Sequence, residues 1–380
     1  MSEESGTTSG FTGRARRVGL SSRSLLGRVE PLSNAAWHLG EAVHHRRPRT
    51  TPPGTRAGPA GEVHQGPTVP TYPYAAPPTD PADLGPPTGV VNPVLTAADV
   101  DDFGRAHFVA DPFLFVDGHG TWHLFFEAYN HFEDPTAVIA HAESEDGVHW
   151  TYDRVVLQTG EHLSFPYVFR WRGEHYMVPD RWSKDRDRPS PVTLYRAESF
   201  PHEWVPVADV VRPESPIHDA VPFRWEERWW ALVGDGRNLQ AFYADRLTDD
   251  DWTPHAGNPV VEDRPTAGRP GGRPIVREDY VLAFFQEGIR SYGDQIRAYE
   301  VTALSPDTYE DRETSWSPAV SPTGGSVGWN SGFMHHVDPW YDGERWWCAV
   351  DGDVALGRGL LGPGHWAIGI YASPPVDAGP

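Results

Sequence analysis

From about residue 105 the chain alternates short apolar runs with polar turns, and the runs recur in a fixed register. Gly120-Thr121-Trp122-His123-Leu124-Phe125-Phe126-Glu127 has counterparts in Gly173-Glu174-His175-Tyr176-Met177-Val178-Pro179-Asp180 and in Glu227-Arg228-Trp229-Trp230-Ala231-Leu232-Val233. Two more follow, Glu278-Asp279-Tyr280-Val281-Leu282-Ala283-Phe284-Phe285 and Glu344-Arg345-Trp346-Trp347-Cys348-Ala349-Val350. Aligned on Trp122, His175, Trp229, Tyr280 and Trp346, the copies are 53, 54, 51 and 66 residues apart. Most copies follow an earlier apolar run by a short turn, as in Asp111-Pro112-Phe113-Leu114-Phe115 or Asp338-Pro339-Trp340-Tyr341, which predicts β-hairpins. A third run lies downstream (Ile139-Ala140-His141-Ala142-Glu143 in the first copy), and after a polar turn comes Trp150, Trp204 or Trp252. In the first copy that turn contains Asp146-Gly147, whose glycine supplies the positive φ of a tight hairpin. Four short strands repeated five times predict an all-β fold, a five-bladed β-propeller over residues 101–375. A β-sandwich would share the short strands but not the register of aromatic positions.

The first hundred residues read differently. Residues 1–60 hold nine Arg against four Glu, and fifteen of the sixteen Trp lie beyond residue 100. Leu25, Val29, Leu32, Ala36, Leu39 and Val43 recur at alternating steps of four and three, which predicts a short helix near 31–45, with Glu30-Pro31 at its first turn. Its Arg-rich flanks suit a protein partner, an anionic surface or the chain's own domain. Residues 51–100 carry 18 Gly or Pro and read as an extended linker. Residues 1–100 are thus expected to form a basic arm and linker.

Charge and cysteine narrow the chemistry. A formal charge of −21 disfavours nucleic acid as the main partner. Lys184 alone among 32 basic residues is lysine, a balance that suits either a salty cytoplasm or a GC-rich genome. No run reaches the length of a spanning helix and the start of the chain lacks an apolar secretory core, so a cytoplasmic protein without a transmembrane segment is expected. Cys348, the single cysteine, excludes an intrachain disulfide, and its apolar neighbours predict an inert buried thiol.

In a propeller the entry ends of the first strands converge on one funnel. Asp111 of blade one, Asp219 of blade three, Arg269 and Arg273 of blade four and His335-His336 with Asp338 of blade five are expected there, with Glu127, Asp180, Asp235, Gln286 and Glu287 at the far ends of second strands. Carboxylates meeting an arginine and a histidine among aromatic walls suit a sugar, whose C–H faces stack and whose hydroxyls donate to carboxylates. Hydrolysis would need two acids flanking the glycosidic bond, one protonated and one ionised. The same residues have plainer uses: Asp before Pro is a common turn residue, and Glu127 at a strand end suits pairing with an Arg. Of the adjacent His335 and His336, only one can face the funnel on a strand.

Ala110-Asp111-Pro112-Phe113-Leu114-Phe115, Leu124-Phe125-Phe126-Glu127, His162-Leu163-Ser164-Phe165-Pro166-Tyr167-Val168-Phe169, Tyr176-Met177-Val178-Pro179 and Ala267-Gly268-Arg269 resemble the family-43-like five-bladed propellers. Among these the chain is similar to the domain at the N-terminus of plant glucosamine inositolphosphorylceramide transferases, over about residues 105–371. In the glycosidases of that superfamily a blade-one Asp is the general base, a blade-two Asp tunes pKa and a blade-three Glu is the general acid. The resemblance puts Asp111 at the base. Blade two has Ser164 and Pro166 around the second acid's place, and blade three has Asp219 where glutamate is expected. It also implies a central calcium, with His336 as the candidate ligand. The expected catalytic pair is therefore Asp111, activating water, and Asp219, as proton donor or modulator. Glu127, Asp180, Arg269, Arg273, Tyr292 and His336 are the expected substrate contacts. The expected function is hydrolysis or transfer of a glycosyl unit of a glycan or glycolipid headgroup. The alternatives are a non-catalytic glycan-binding module and a scaffold that recruits a glycosyltransferase through the N-terminal arm.

Overall fold

A computed structural model describes residues 79–183, 189–356 and 364–375. The expected arm, the helix near 31–45 and the linker as far as residue 78 lie outside the described residues. Five antiparallel sheets follow one another along the chain. Blade one is β1 (Phe108–Val116), β2 (Trp122–Tyr129), β3 (Ala137–Ser144) and β4 (Thr151–Leu157). Blade two is β5 (His162–Trp171), β6 (Glu174–Trp182), β7 (Val192–Ser199) and β8 (Glu203–Val211). Blade three is β9 (His218–Trp225), β10 (Arg228–Gly234), β11 (Leu239–Ala244) and β12 (Thr253–Pro254). Blade four is β13 (Ile275–Val276), β14 (Val281–Gln286), β15 (Ile296–Leu304) and β16 (Tyr309–Glu313). Blade five is β17 (Val337–Tyr341), β18 (Trp346–Asp353) and β19 (Trp366–Ala372). The predicted all-β propeller is borne out, and a 3-10 turn at Ala97–Asp99 is the one helical element among the described residues.

The strand sequences account for their depth. β1 and β2 are nearly continuous apolar runs, and both are buried on both faces from their second residue to their second last. The outermost β4, Thr151-Tyr152-Asp153-Arg154-Val155-Val156-Leu157, keeps its polar half exposed or half-buried. The tryptophan that closes each of the first three copies has one recurring job. Trp150, Trp204 and Trp252 donate their indole N–H to the carbonyl three residues back, at Gly147 (3.1 Å), Pro201 (2.8 Å) and Asp249 (2.9 Å). Each ring thus packs inward while its polar edge pins the turn before the outer strand.

Blade five gains its outer partner from the chain ahead of blade one. Gly85 bridges to Ala372 and Leu95 to Ile368, while the Asn92 amide donates to Ile370 O at 2.9 Å and accepts from Ile370 N at 2.8 Å. Val94, Leu95, Ala97 and Val100 are buried there, so the packed body includes residues before 101. Covering β19 in this way removes an exposed strand edge and closes the ring. Cys348 is fully buried and burial pushes its thiol up, as an inert core residue requires.

One arginine ties four blades at the axis. Gly271 and Gly272 carry the chain into β13 against the start of β17, with Val337 N donating to Gly271 O at 2.9 Å. Gly272 has φ +150, and a Cβ there would stand 1.7 Å from the Val337 carbonyl oxygen, so only glycine fits. Arg273 follows, 2% exposed. Its Nε lies 2.9 Å from Asp338 Oδ1 of blade five, its Nη1 donates to Val168 O of blade two at 2.9 Å, and its Nη2 donates to Leu114 O of blade one at 2.9 Å. Phe113, Tyr167 and Trp340 surround the guanidinium. Asp338 in turn accepts from Leu114 N at 2.7 Å. Burial still pushes Asp338 up to about 6 against the pull of Arg273. Arg273→Ala would strand that carboxylate, and unfolding by denaturant is expected to show a loss of roughly 3–5 kcal/mol. A change within about 0.5 kcal/mol, the range of an ordinary surface substitution, would show that the axis holds without it.

Candidate functional site

Above this staple three inner strands make the same local deviation. β1 loses register between Ala110 and Phe113, β5 between Ser164 and Tyr167, and β9 pairs irregularly between His218 and Val221. At these bulges Asp111, Phe165 and Asp219 adopt left-handed φ values of 53°, 46° and 59°. Aspartate tolerates this region better than most residues and phenylalanine poorly, so the surroundings must enforce it. Each bulge re-aims its side chain towards the axis. The structure thereby places Phe165, fully buried, where a blade-two acid would stand, edge-on to Phe113 with centroids 4.8 Å apart.

Asp111 and Asp219 differ in what holds them. Asp219, 1% exposed, takes Arg269 Nε on Oδ2 at 2.5 Å and Arg269 Nη2 on Oδ1 at 3.2 Å, and Gln286 Nε2 donates to Oδ2 at 2.7 Å. Burial lifts Asp219 above the ordinary carboxylate value, yet the guanidinium fork and the amide hold it as an acceptor. Burial alone would lower Arg269, but the charge and hydrogen bond of Asp219, with Tyr292 and Asp180, together outweigh burial and raise it. Asp111, 5% exposed, has an Oδ1 with no hydrogen-bond partner. Burial, with the charges of Glu127, Asp219 and Asp351, pushes it well above the ordinary value, while His335 opposes.

His335 supplies the cation next to that acid. Its Nδ1 lies 2.6 Å from Asp351 Oδ2 and 3.8 Å from Asp111 Oδ1, and its ring stacks on Trp366 with centroids 4.0 Å apart. Burial alone would lower His335, but Asp351 and then Asp111 raise it to about 9. Asp351 is fixed in turn: Oδ1 accepts the backbone N–H of His335 and of His336, each at 3.0 Å, and Oδ2 accepts that of Asp111 at 3.2 Å. Tyr292, 49% exposed, spans the mouth, with the Arg269 guanidinium 4.8 Å from its ring and its plane edge-on to His335. At the ends of the second strands Glu127 sits 3.3 Å from His162 Nε2, and Asp180 Oδ2 sits 3.0 Å from His218 Nδ1.

Asp111, Asp219, Glu127, Asp180, Arg269 and Tyr292 thus share one region. Two expected contacts do not. Arg273 spends its guanidinium on Asp338 and two carbonyls beneath the funnel, so it is a staple and not a ligand contact. His336 is fully buried between Phe113 and Phe165, and burial lowers it to about 3, so it stands neutral below the floor. His335 takes the place expected of His336. Asp235 and Glu287 serve locally: Asp235 accepts from Arg237 N and Asn238 N in its turn, and Glu287 holds Gln295 and Arg297. A calcium on His336 does not fit these residues. Calcium takes six to eight oxygens, whereas aromatic rings line His336, and both oxygens of nearby Asp351 are committed. Asp351 was legible in the repeat, since it follows Trp346 by the interval that separates Glu127 from Trp122 and Asp180 from His175. Trp366 carries no such signal.

Fold and site define a five-bladed propeller built like those of glycoside hydrolases and phosphorylases. A glycosyl hydrolase from Bacteroides ovatus aligns with a TM-score of 0.58 at 11% identity, covering 79% of this chain and 95% of that one. The β-1,2-mannobiose phosphorylase of Listeria innocua aligns at 0.55 and 15%, covering 77% and 97%. These likenesses concern the fold. The chain belongs to the family described as glucosamine inositolphosphorylceramide transferase 1, N-terminal, whose model matches residues 82–353. A rice relative (Oryza sativa subsp. japonica) named glucosamine inositolphosphorylceramide transferase 1 is 30% identical over 275 residues, 70% of this chain and 36% of the relative. The chain spans about a third of the length of the curated relatives it matches.

The raised pKa of Asp111 has a stability consequence. The unfolded chain ionises this carboxyl at its ordinary value and the folded chain only at higher pH, so ionisation costs stability above that window and nothing below it. Asp111→Asn is therefore expected to raise stability at pH 7. The gain should vanish as the pH falls towards 4, near the ordinary carboxylate value. Denaturant titrations at both pH values check this, and a variant less stable at pH 7 would contradict it.

Proposed function

We propose that the funnel takes a glycan or glycolipid headgroup and that Asp111 handles the proton of a glycosyl hydrolysis or transfer. One observation carries this reading: a buried acid with an uncommitted oxygen and a raised pKa faces a mouth that also holds the Asp219–Arg269 pair and the open ring of Tyr292. A carboxyl that holds its proton to higher pH than an ordinary aspartate can give it to a leaving oxygen, while an ionised neighbour stabilises the positive charge that develops on the sugar. The expected roles are then exchanged, since Asp219 holds the Arg269 fork and Asp111 is the better donor. Tyr292 offers a face to sugar C–H groups, and Glu127 and Asp180 offer acceptors to hydroxyls. The family and the names of the plant relatives support glucosamine- and inositol-phosphate-containing headgroups as first ligands.

A second reading is recognition without turnover. Phe165 stands where the resemblance places a second acid, and both oxygens of Asp219 already accept hydrogen bonds. Calorimetry and product analysis on a headgroup and glycan panel separate the two. Catalysis predicts that Asp111→Asn lowers turnover by about 10²–10⁴-fold while binding persists, and that Tyr292→Ala weakens binding. Binding without product by the intact chain, lost in Tyr292→Ala, selects recognition. No binding to any member of the panel would overturn both.

A further inference from the structure

Four histidines that the funnel does not use gather between blades one and two. His123 on β2, His141 on β3 and Asp153 on β4 form a row, and His202 meets its end from the turn between β7 and β8. His175 lies beside them on β6, its ring stacked on Phe200, and keeps out of the row. The links are short: His123 Nδ1 to His141 Nε2 is 3.0 Å, His141 Nδ1 to Asp153 Oδ2 is 3.0 Å, and His202 Nε2 to the same Oδ2 is 2.7 Å. At the other end His123 Nε2 looks at Asp117 Oδ2 from 3.6 Å, is buried, and makes no hydrogen bond. Arg154 touches the other Asp153 oxygen at 3.3 Å.

A count of hydrogens shows what this row lacks. Two hydrogen bonds, His123 to His141 and His141 to Asp153, each need one proton, and the 3.6 Å approach of the Asp117 carboxylate to His123 Nε2 favours a third. Two neutral imidazoles bring only two. A third would make one of the rings a buried cation; His141 is fully buried and His123 5% exposed. Without a metal, then, the His123 Nε2 lone pair is left buried, facing the Asp117 carboxylate without a hydrogen bond. A cation held by His141 Nδ1, Asp153 Oδ2 and His202 Nε2 removes the shortage. His141 Nε2–H then donates to His123 Nδ1, and His123 Nε2–H turns to Asp117. This is the outer-shell order that fixes the tautomer of a metal-bound histidine.

We propose that His141, Asp153 and His202 form a site for a first-row divalent transition metal, zinc being the reference ion. Two imidazole nitrogens and one carboxylate oxygen suit zinc and exclude calcium, which prefers an all-oxygen cage. Their ligand atoms lie within 4.8 Å of one another. Bonds of 2.0–2.2 Å in a tetrahedron separate ligands by roughly 3.3 Å, so the site opens by a few tenths of an ångström to admit the ion. The side chains of Asp153 and His202 are 20% and 39% exposed and give it an entry and an open fourth position. The ion would stitch blade one to blade two outside the funnel.

The test uses the full chain without an affinity tag, stripped with a chelator and titrated with Zn²⁺ against a competing chelator. One tight equivalent is expected, and Co²⁺ in its place should show the visible absorption of a tetrahedral site. His202→Ala, on a half-buried turn, should weaken that equivalent at least tenfold while its circular dichroism stays native. His335→Gln, which disrupts the separate His335–Asp351 group, should leave it intact. No tight equivalent in the wild-type chain, or one unchanged by His202→Ala, overturns the proposal.

Discussion

The architecture depends on a charge that has nowhere else to go. Arg273, held beneath the funnel by Asp338 and by carbonyls of blades one and two, can be satisfied only when blades one, two, four and five stand in their native places. Buried ion pairs of this kind cost desolvation and yield little net stability, and burial shows its hand in the raised pKa of Asp338. Their yield is specificity: a slipped blade would leave a guanidinium or a carboxylate unpaired in an aromatic interior. The two glycines before Arg273 serve the same end: a Cβ on Gly272 would strike the Val337 carbonyl, and one on Gly271 would stand 2.5 Å from Ile296 Cδ1.

Convergence has an electrostatic consequence. Bringing the inner strands to one axis crowds Asp111, Asp219, Glu127 and Asp351 into a small volume, and the protein relieves the crowding by different means. Asp219 is paired with Arg269, Asp351 with His335 and three backbone N–H groups, and Asp111 keeps an oxygen without a partner and a raised pKa. Two carboxyls of similar sequence setting thus differ in their partners, although burial raises the pKa of both. The left-handed backbone at both positions belongs to the same design, since a regular strand would aim these side chains elsewhere.

Much of the fold was legible in the sequence because propeller blades repeat. Aromatic positions recur, the turn tryptophans recur with one hydrogen bond each, and Asp111 and Asp219 stand at matching places. What was not legible came from departures from strand periodicity. A period of two places Asp111 in line with Phe113, whereas the bulge between Ala110 and Phe113 sets its direction. Arg273 and Arg269, four residues apart, look alike in sequence, and only the Gly271-Gly272 path sends one to the axis and leaves the other at the mouth. His335 and His336 were read as alternatives on a strand; both instead precede β17, and Asp351 draws one of them into the funnel.

The role proposed for Asp111 requires its carboxyl to hold its proton to higher pH than an ordinary aspartate. The direct measurement is its titration by ¹³C NMR on aspartate-labelled protein, with Asp111→Asn identifying the signal. A midpoint well above the ordinary aspartate value of about 3.9 is expected. A midpoint at or below that value would show Asp111 as a plain ionised strand-end residue and would contradict the assignment.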